Sequence, residues 1–195
     1  MRQGKINRET LETKLNIAID LDGQGKTKID TKIGFFDHML TLFGFHGGFD
    51  LEVFCDGDIE VDSHHSIEDV GIALGLAFKE ALGDKLGINR YGSFRLVMDE
   101  SLVCVDLDIS NRPYLVFNGE IPKVVLGNFD CEMTEEFLRA FAFNAGITLH
   151  VNVMYGKNVH HIIEAIFKAL ARALQLATAI DPSKVDKVSS TKGML

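Results

Sequence analysis

The chain has 195 residues, 46% of them hydrophobic, which is enough for one domain or for two fused halves that share a core. Its net charge of −8 argues against nucleic acid and anionic membranes as main partners. No apolar run approaches the ~20 residues that span a bilayer, and the N-terminal residues lack the apolar core of a signal peptide. The three scattered cysteines lack C-x-x-C spacing and indicate reduced thiols in a cytoplasmic protein.

The first half of the chain contains two stretches with the two-residue period of a half-buried strand. Large apolar residues recur at every second position over 15–21 and over 49–55. The DGQG sequence at 22–25 predicts a turn that leads into a partner strand at roughly 26–33, as in a β-hairpin. A long helix is predicted over about 64–83, and the glycine at its end is typical of a helix terminus.

The second half repeats this pattern of strands followed by a long helix. The last helix is predicted to end before Asp181-Pro182, because proline and the residue before it do not continue a helix. Strands with one long helix in each half predict an α+β fold, with helices packed on one face of a sheet. The predicted pseudo-repeats are about 1–88 and 89–180, followed by a tail at 181–195. The predicted elements of this half are strands at 94–98, 102–109, 114–118 and 147–153, and helices at about 134–144 and 159–180.

One short motif occurs twice, 96 residues apart. His64-His65-x-x-Glu68 and His160-His161-x-x-Glu164 each stand at the start of a predicted long helix. Two copies in one helical frame predict a duplicated half-domain with a metal-ligating helix start in each half. The apolar positions that follow also match, with Ile67, Val70, Ala73, Leu74, Ala77 and Ala81 opposite Ile163, Ile166, Ala169, Leu170, Ala173 and Ala177.

The spacing within each motif suits metal binding by imidazole and carboxylate groups. Residues three or four apart share a helix face, so Glu68 and Glu164 can each stand beside a histidine of the preceding pair. Adjacent histidines point roughly 100° apart on a helix, so each pair is predicted to be divided between two metal ions. His38 and His150 complete a set of six imidazoles and two carboxylates, which is enough for two similar sites.

This ligand set predicts a catalytic metal site. Mixed nitrogen and oxygen ligands suit Mn, Fe, Co, Ni or Zn, and no sulfur ligand favours a closed structural zinc site. Four protein ligands around an octahedral ion leave two positions open, where a substrate can bind.

Eight blocks of sequence follow one another along the chain: RETLETK, GFFDHMLTLFGFHGGFDL, DSHHSIEDVGIALG, GINRYGSF, SNRPYLVF, FAFNAGITLHVNV, GKNVHHIIEAIFKALARAL and SSTKG. In this order they resemble the imidazoleglycerol-phosphate dehydratase family, the lyases of histidine biosynthesis. The resemblance implies a duplicated fold similar to the second domain of ribosomal protein S5. It also implies a shell of 24 subunits built from trimers, with active sites between subunits.

The resemblance implies that two Mn²⁺ ions serve each active site. The implied substrate is D-erythro-imidazole-glycerol phosphate, and the implied product is imidazole-acetol phosphate. An imidazole bound through both nitrogens to two cations can exist as imidazolate, which can expel the neighbouring hydroxyl as a diazafulvene forms. The implied metal ligands are His38, His64, His65, Glu68, His150, His160, His161 and Glu164.

The resemblance also implies which residues hold the substrate and transfer protons. Glu12 is the predicted base that removes the carbon-bound proton. The arginine and lysine side chains among the implied substrate contacts, including the lysine of the C-terminal tail, suit a phosphate group. The implied catalytic residues are Glu12, His64, Glu68, His160 and Glu164. The implied substrate contacts are Glu12, His38, His46, His64, Glu68, Arg90, Arg112, His160, Lys168, Ser190, Thr191 and Lys192.

Two other functions are compatible with the same ligands. A di-metal hydrolase would use them to activate water. A metal-storage protein would bind ions without catalysis. However, ferritin-like bundles use Glu-x-x-His pairs and four long helices, and this chain has predicted strands where those helices should be.

Overall fold

Each half of the chain folds into a four-stranded sheet with two helices, and the computed structural model describes residues 2–195. The first half contains β1 (Gln3–Glu9), β2 (Thr13–Asp20), β3 (Thr27–Asp30), α1 (Gly34–Gly47), β4 (Asp50–Gly57) and α2 (His64–Leu82). The second half contains β5 (Tyr91–Met98), β6 (Ser101–Asp108), β7 (Tyr114–Asn118), the short β8 (Val125–Leu126) and β9 (Phe129–Asp130), α3 (Met133–Ala145), β10 (Thr148–Tyr155) and α4 (Val159–Thr178).

The two sheets have the same topology. Their strand orders are β1-β2-β4-β3 and β5-β6-β10-β7. In both sheets the first three strands are antiparallel neighbours, and the fourth joins the edge in parallel. The predicted α+β fold of duplicated half-domains is therefore confirmed, with a separate sheet in each half.

Each sheet buries one face against helices because its apolar residues alternate along the strands. On β2, Leu15, Ile17 and Ile19 are buried. α2 packs on the first sheet and α4 on the second, and the halves meet where α2 packs on α3 and α1 packs on α4. Phenylalanines fill this helical layer, where Phe137 stacks on Phe167 with ring centroids 5.2 Å apart. Within residues 2–195, every helix is too short or too polar to cross a membrane.

A glycine lets the first strand of each sheet lie directly against the helix that carries the repeated motif. A Cβ atom on Gly4 of β1 would lie 1.9 Å from the carbonyl oxygen of Ala77 on α2. A Cβ atom on Gly92 of β5 would lie 1.9 Å from the carbonyl oxygen of Ala173 on α4. Ala77 and Ala173 are matched positions of the sequence repeat. The same contact therefore fixes the position of both motif helices on their sheets.

The predicted hairpin of strands 15–21 and 26–33 is wrong. β2 pairs with β1 and β4, whereas β3 lies at the far edge and pairs in parallel with β4. The first half also has two helices rather than one. α1 lacks a narrow apolar face, because its large apolar residues surround most of the helix, and β1 has Ile6 as its single large apolar residue.

Candidate active site

The repeated histidine pairs lie at the N-termini of the two matched helices. The Asn158 side chain accepts hydrogen bonds from the backbone N–H groups of His160 and His161, at 2.9 and 3.4 Å, and so caps α4. At the start of α2, Asp62 accepts from the backbone N–H of His64 at 2.7 Å. The rings within the two pairs are 6.3 and 6.2 Å apart, with planes at 70° and 79°. Both pairs therefore diverge in the same way, as the helical spacing predicts.

His38, His160 and Glu164 form a cluster between α1 and α4. The Glu164 Oε2 atom lies 3.1 Å from His160 Nε2 and 3.6 Å from His38 Nε2. Among residues 2–195 this is the one group of three or more candidate ligands whose donor atoms all lie within 4.8 Å of one another. The edge of the Phe35 ring contacts the His160 ring at 5.0 Å and limits its orientation.

The Glu164 carboxylate is held in its ionised form although its side chain is only 8% exposed. Burial, the largest single influence, would raise the Glu164 pKa, but the hydrogen bond and the charge of Lys168, one turn further along α4, and the neighbouring imidazoles together outweigh it and the pKa is lowered. His160 and His38 act in the same direction. An ionised carboxylate beside two imidazoles is therefore available as a ligand.

The geometry of this cluster fits a transition-metal ion. Ligand atoms that bind at right angles, each about 2.1 Å from an ion, lie about 3 Å apart. The separations of 3.1 and 3.6 Å from Glu164 Oε2 are close to that value. Two imidazole nitrogens and one carboxylate oxygen also suit manganese, iron or zinc.

The other predicted ligands form smaller groups within one chain. His64 Nε2 lies 3.7 Å from Glu68 Oε2 on α2. The Nδ1 atom of His65 lies 3.1 Å from both Asp58 oxygens, and the Nδ1 atom of His161 lies 2.7 Å from Glu100 Oε2. These contacts raise the pKa of both imidazoles, because His65 and His161 donate hydrogen bonds to Asp58 and Glu100 respectively.

His150 stands apart from the other predicted ligands. It lies on β10, between Asp106 of β6 and Val116 of β7, and it is exposed. The buried residues beside it on the strand, Leu149 and Val151, face the helices, so His150 projects from the opposite face of the sheet. Within one chain, the structure therefore brings three of the eight predicted ligands into one cluster.

Arg90, Arg112 and the C-terminal tail meet at the other end of α4. Asp108 accepts two hydrogen bonds from the buried Arg90 side chain, at 2.6 and 3.0 Å, and lies 3.5 Å from Arg112. Arg90 also donates to the backbone oxygen of Ser189 at 2.8 Å, just before Ser190, Thr191 and Lys192. The Arg112 side chain is 68% exposed.

This arginine group is remote from the histidine cluster of the same chain. The Arg90 backbone N–H donates to the carbonyl of Ala177, near the C-terminal end of α4. Ala177 and Glu164 are separated along the helix axis by about 20 Å, at about 1.5 Å per residue. The two groups therefore lie at opposite ends of one helix.

His46 and Lys168 extend the histidine cluster along the contact between α1 and α4. Burial lowers the His46 pKa, and the positive charges of Lys168 and Arg172 add to this effect. Arg172 is not among the residues predicted from the sequence, although 164, 168 and 172 share one helix face at four-residue spacing. Asp58, Glu100 and Asp108 were also missed, because isolated acidic residues in turns and strands carry no motif.

The fold and the site together define an α+β protein of duplicated halves, with histidines and glutamates gathered at two helix starts. Residues 31–174 match the family model described as imidazoleglycerol-phosphate dehydratase. A relative with that name from Lactococcus lactis subsp. cremoris (strain SK11) is 60% identical and aligns over 100% of this chain and 98% of its own length. A relative of the same name from Acetivibrio thermocellus is 57% identical and aligns over 100% of this chain and 99% of its own length.

Solved structures agree with the sequence relatives. The crystal structure of imidazoleglycerol-phosphate dehydratase from Staphylococcus aureus subsp. aureus N315 has a TM-score of 0.83 and 44% identity, covering 92% of this chain and 99% of that one. The crystal structure of IGPD from Pyrococcus furiosus has a TM-score of 0.82 and 37% identity, covering 97% of this chain and 100% of that one.

The chain belongs to the imidazoleglycerol-phosphate dehydratase family. It is a lyase that dehydrates imidazoleglycerol phosphate in histidine biosynthesis. The family and the activity implied by the sequence resemblance are thus confirmed.

Proposed function

We propose that two Mn²⁺ ions serve each active site in converting D-erythro-imidazole-glycerol phosphate to imidazole-acetol phosphate. The observation that carries this proposal is the convergence of His38, His160 and Glu164 from two helices on one point. When bound, the ions supply Lewis acidity to the imidazole ring of the substrate. The proposed ligands are His38, His64, His65, Glu68, His150, His160, His161 and Glu164.

The diverging histidine pairs support two separate ions. His160 faces the Glu164 cluster, whereas His161 turns towards Glu100. Within α2, His64 faces Glu68 and His65 turns towards Asp58. One ion therefore takes one histidine from each pair, and the second ion takes the other two.

More than one chain is needed to complete an active site. His150 projects from the outer face of its sheet, away from the helices that carry the other ligands. The Arg90 group lies about 20 Å along α4 from Glu164, and a ring and a phosphate joined by three carbons cannot span that distance. Both facts favour a site shared between copies, in a shell of 24 subunits built from trimers.

Two groups of side chains are suited to the substrate phosphate. Lys168 and His46 lie beside the metal cluster, and Lys168 is already anchored by Glu164. Arg112, with Ser190, Thr191 and Lys192, is suited to approach from a second copy. Arg90 positions this group, because it binds Asp108 and the tail backbone. A guanidinium group can donate two parallel hydrogen bonds to phosphate oxygens, and lysine adds a compact charge.

Glu12 is the proposed base that takes the carbon-bound proton. Its side chain is 54% exposed in one chain, and its Oε1 atom lies 3.8 Å from His65 Nε2. The carboxylate therefore stands beside a proposed metal ligand. His64, Glu68, His160 and Glu164 complete the proposed catalytic set by holding the ring against this base.

An absorbance assay for the product ketone, with and without chelator, tests the proposal. Turnover that is lost with chelator and restored by Mn²⁺ is expected. Hydrolysis of phosphoesters by the same protein would favour a di-metal hydrolase instead, and manganese uptake without binding of an imidazole phosphate would favour storage.

The free thiols of Cys55, Cys104 and Cys131 are compatible with action in the reducing cytoplasm.

A further inference from the structure

The two oxygens of Glu100 have different partners. Glu100 lies in the turn between β5 and β6. Its Oε1 atom accepts hydrogen bonds from the backbone N–H groups of Lys157 and Asn158, at 3.1 and 2.7 Å. Its Oε2 atom lies 2.7 Å from Nδ1 of His161. The first oxygen is therefore fixed by the backbone before α4, and the second faces the imidazole.

This contact determines which ring nitrogen of His161 carries hydrogen. An ionised carboxylate only accepts hydrogen bonds, so the Nδ1 atom of His161 must be the donor. In the neutral ring, the lone pair of Nε2 is then available for a metal ion. Metal-binding histidines generally donate their second ring N–H to a carboxylate or carbonyl in this way.

His65 has the same arrangement with a different acid. Both oxygens of Asp58, which follows the last residue of β4, lie 3.1 Å from the Nδ1 atom of His65. His65 and His161 are matched positions of the repeat, but Asp58 and Glu100 are not.

The matched position of Glu100 is Glu12. Each precedes the first residue of the second strand of its sheet, Thr13 of β2 and Ser101 of β6. Glu12 lies near Nε2 of His65, at 3.8 Å, rather than near Nδ1. The halves have therefore diverged in the use of one inherited glutamate.

We propose that Glu100 and Asp58 are positioning residues that hold His161 and His65 with Nε2 unprotonated and directed at the metal ions. Because Asp58 performs this task in the first half, the carboxylate of Glu12 is left free for proton transfer. This inference rests on the proposed function, since it assigns the two acids to the same metal site.

Two variants with the same atomic change test the role of Glu100. In Glu100→Gln, the two backbone N–H donors require the side-chain oxygen in the Oε1 position, so the amide NH₂ faces His161 and donates to Nδ1. The ring then carries its hydrogen on Nε2, and it must change tautomer before that atom can bind a metal ion. In Asp58→Asn, both side-chain positions reach His65 equally, so the amide can rotate and keep its oxygen on Nδ1.

Calorimetric titration of Mn²⁺ into stripped protein gives the first measurement. Glu100→Gln is expected to weaken manganese binding roughly 10- to 100-fold, and Asp58→Asn by less than about 10-fold. Equal losses in the two variants, or no loss in Glu100→Gln, would overturn the proposal. Thermal melting followed by circular dichroism must show that both variants remain folded, and Glu100→Asp, which keeps an acceptor, should recover part of the affinity.

The second measurement needs no metal. Solid-state ¹⁵N spectra of histidine-labelled, stripped protein distinguish the two ring tautomers. In Glu100→Gln, one of the seven histidines should change to the tautomer with hydrogen on Nε2, whereas Asp58→Asn should match the wild type. An unchanged spectrum for Glu100→Gln would overturn the inference. Failure of wild-type protein to bind manganese would refute the proposed function instead, while these spectra would still decide the tautomer.

Discussion

His38 on α1 and Glu164 on α4 lie 3.6 Å apart across the contact between the two halves of the chain. Neither half contains this pair alone. The candidate metal cluster therefore depends on how the helices of the duplicated halves pack, through phenylalanines such as Phe36 and Phe167, whose rings are 6.4 Å apart.

Replacement of His38 by alanine should remove one metal ion and leave the other. The bound manganese, measured by mass spectrometry of the gel-filtered protein, is expected to fall from about two ions per chain to about one, because three ligands hold an ion less tightly than four. His46→Ala is the matched control, two turns further along α1. It should keep both ions but raise KM, and equal metal loss in both variants would contradict the assignment.

The repeated motif made much of the fold predictable. Two helices with matched apolar positions indicated two equivalent halves, and α2 and α4 begin where the histidine pairs predict. Strand pairing was not predictable in the same way. β3 follows β2 in sequence, but its partner β4 comes after α1, so local turn residues alone gave the wrong neighbour. β1 was not predicted, because Gly4 contacts α2 through its backbone and adds no apolar side chain to the strand pattern.

The ligands of the candidate site were easier to predict than the groups that hold them. Counting imidazoles and carboxylates found His38, which packing then places beside Glu164. Glu100 carries no such signal, because its contact with His161 joins the β5–β6 turn to the start of α4. Contacts between distant segments are set by tertiary packing.

Arg112→Ala should raise KM for the substrate with unchanged metal content. Arg112 is 68% exposed and forms a 3.5 Å ion pair with Asp108, so its removal should perturb the fold little. A charge-assisted pair contributes about 1.5–3 kcal/mol, which corresponds to a rise in KM of roughly 10- to 100-fold. Steady-state kinetics with metal analysis checks this, and an unchanged KM refutes the role.

Arg90→Ala is expected to behave differently from Arg112→Ala. Arg90 is only 9% exposed, and it binds both Asp108 and the backbone of Ser189. Its loss should lower the melting temperature and make the tail more sensitive to protease, in addition to raising KM. A variant with wild-type stability and a purely kinetic defect would show that Arg90 binds phosphate directly.

Glu12→Gln should reduce turnover without loss of metal. A positioned base typically contributes 10²- to 10⁴-fold, so kcat is expected to fall by about 100-fold or more, with KM and manganese content near wild type. Normal turnover by a variant that binds substrate and metal would remove Glu12 from this role. The comparison with Glu100→Gln is direct, because the two glutamates are matched positions that should fail in different measurements.

Removal of metal should reduce the size of the particle. If the ligands of one ion come from different chains, each ion joins those chains, and its binding energy also stabilises the assembly. Light scattering before and after dialysis against chelator is expected to show a change from a large shell to a smaller species, with recovery on addition of Mn²⁺. A constant particle size would indicate that assembly does not depend on shared metal sites.

Gly4→Ala and Gly92→Ala should both destabilise the protein. The added methyl carbon would lie 1.9 Å from a helix carbonyl oxygen in each case, so β1 or β5 must move away from its motif helix. Overpacking of this kind costs about 1–3 kcal/mol or more, which should lower the melting temperature by several degrees. Gly34→Ala is the control, because a Cβ there meets no atom within 4 Å. If the two substitutions displace α2 and α4, both should also weaken manganese binding, since each helix carries a histidine pair. A loss of stability with full metal affinity would show that the helix starts are held independently of these glycine contacts.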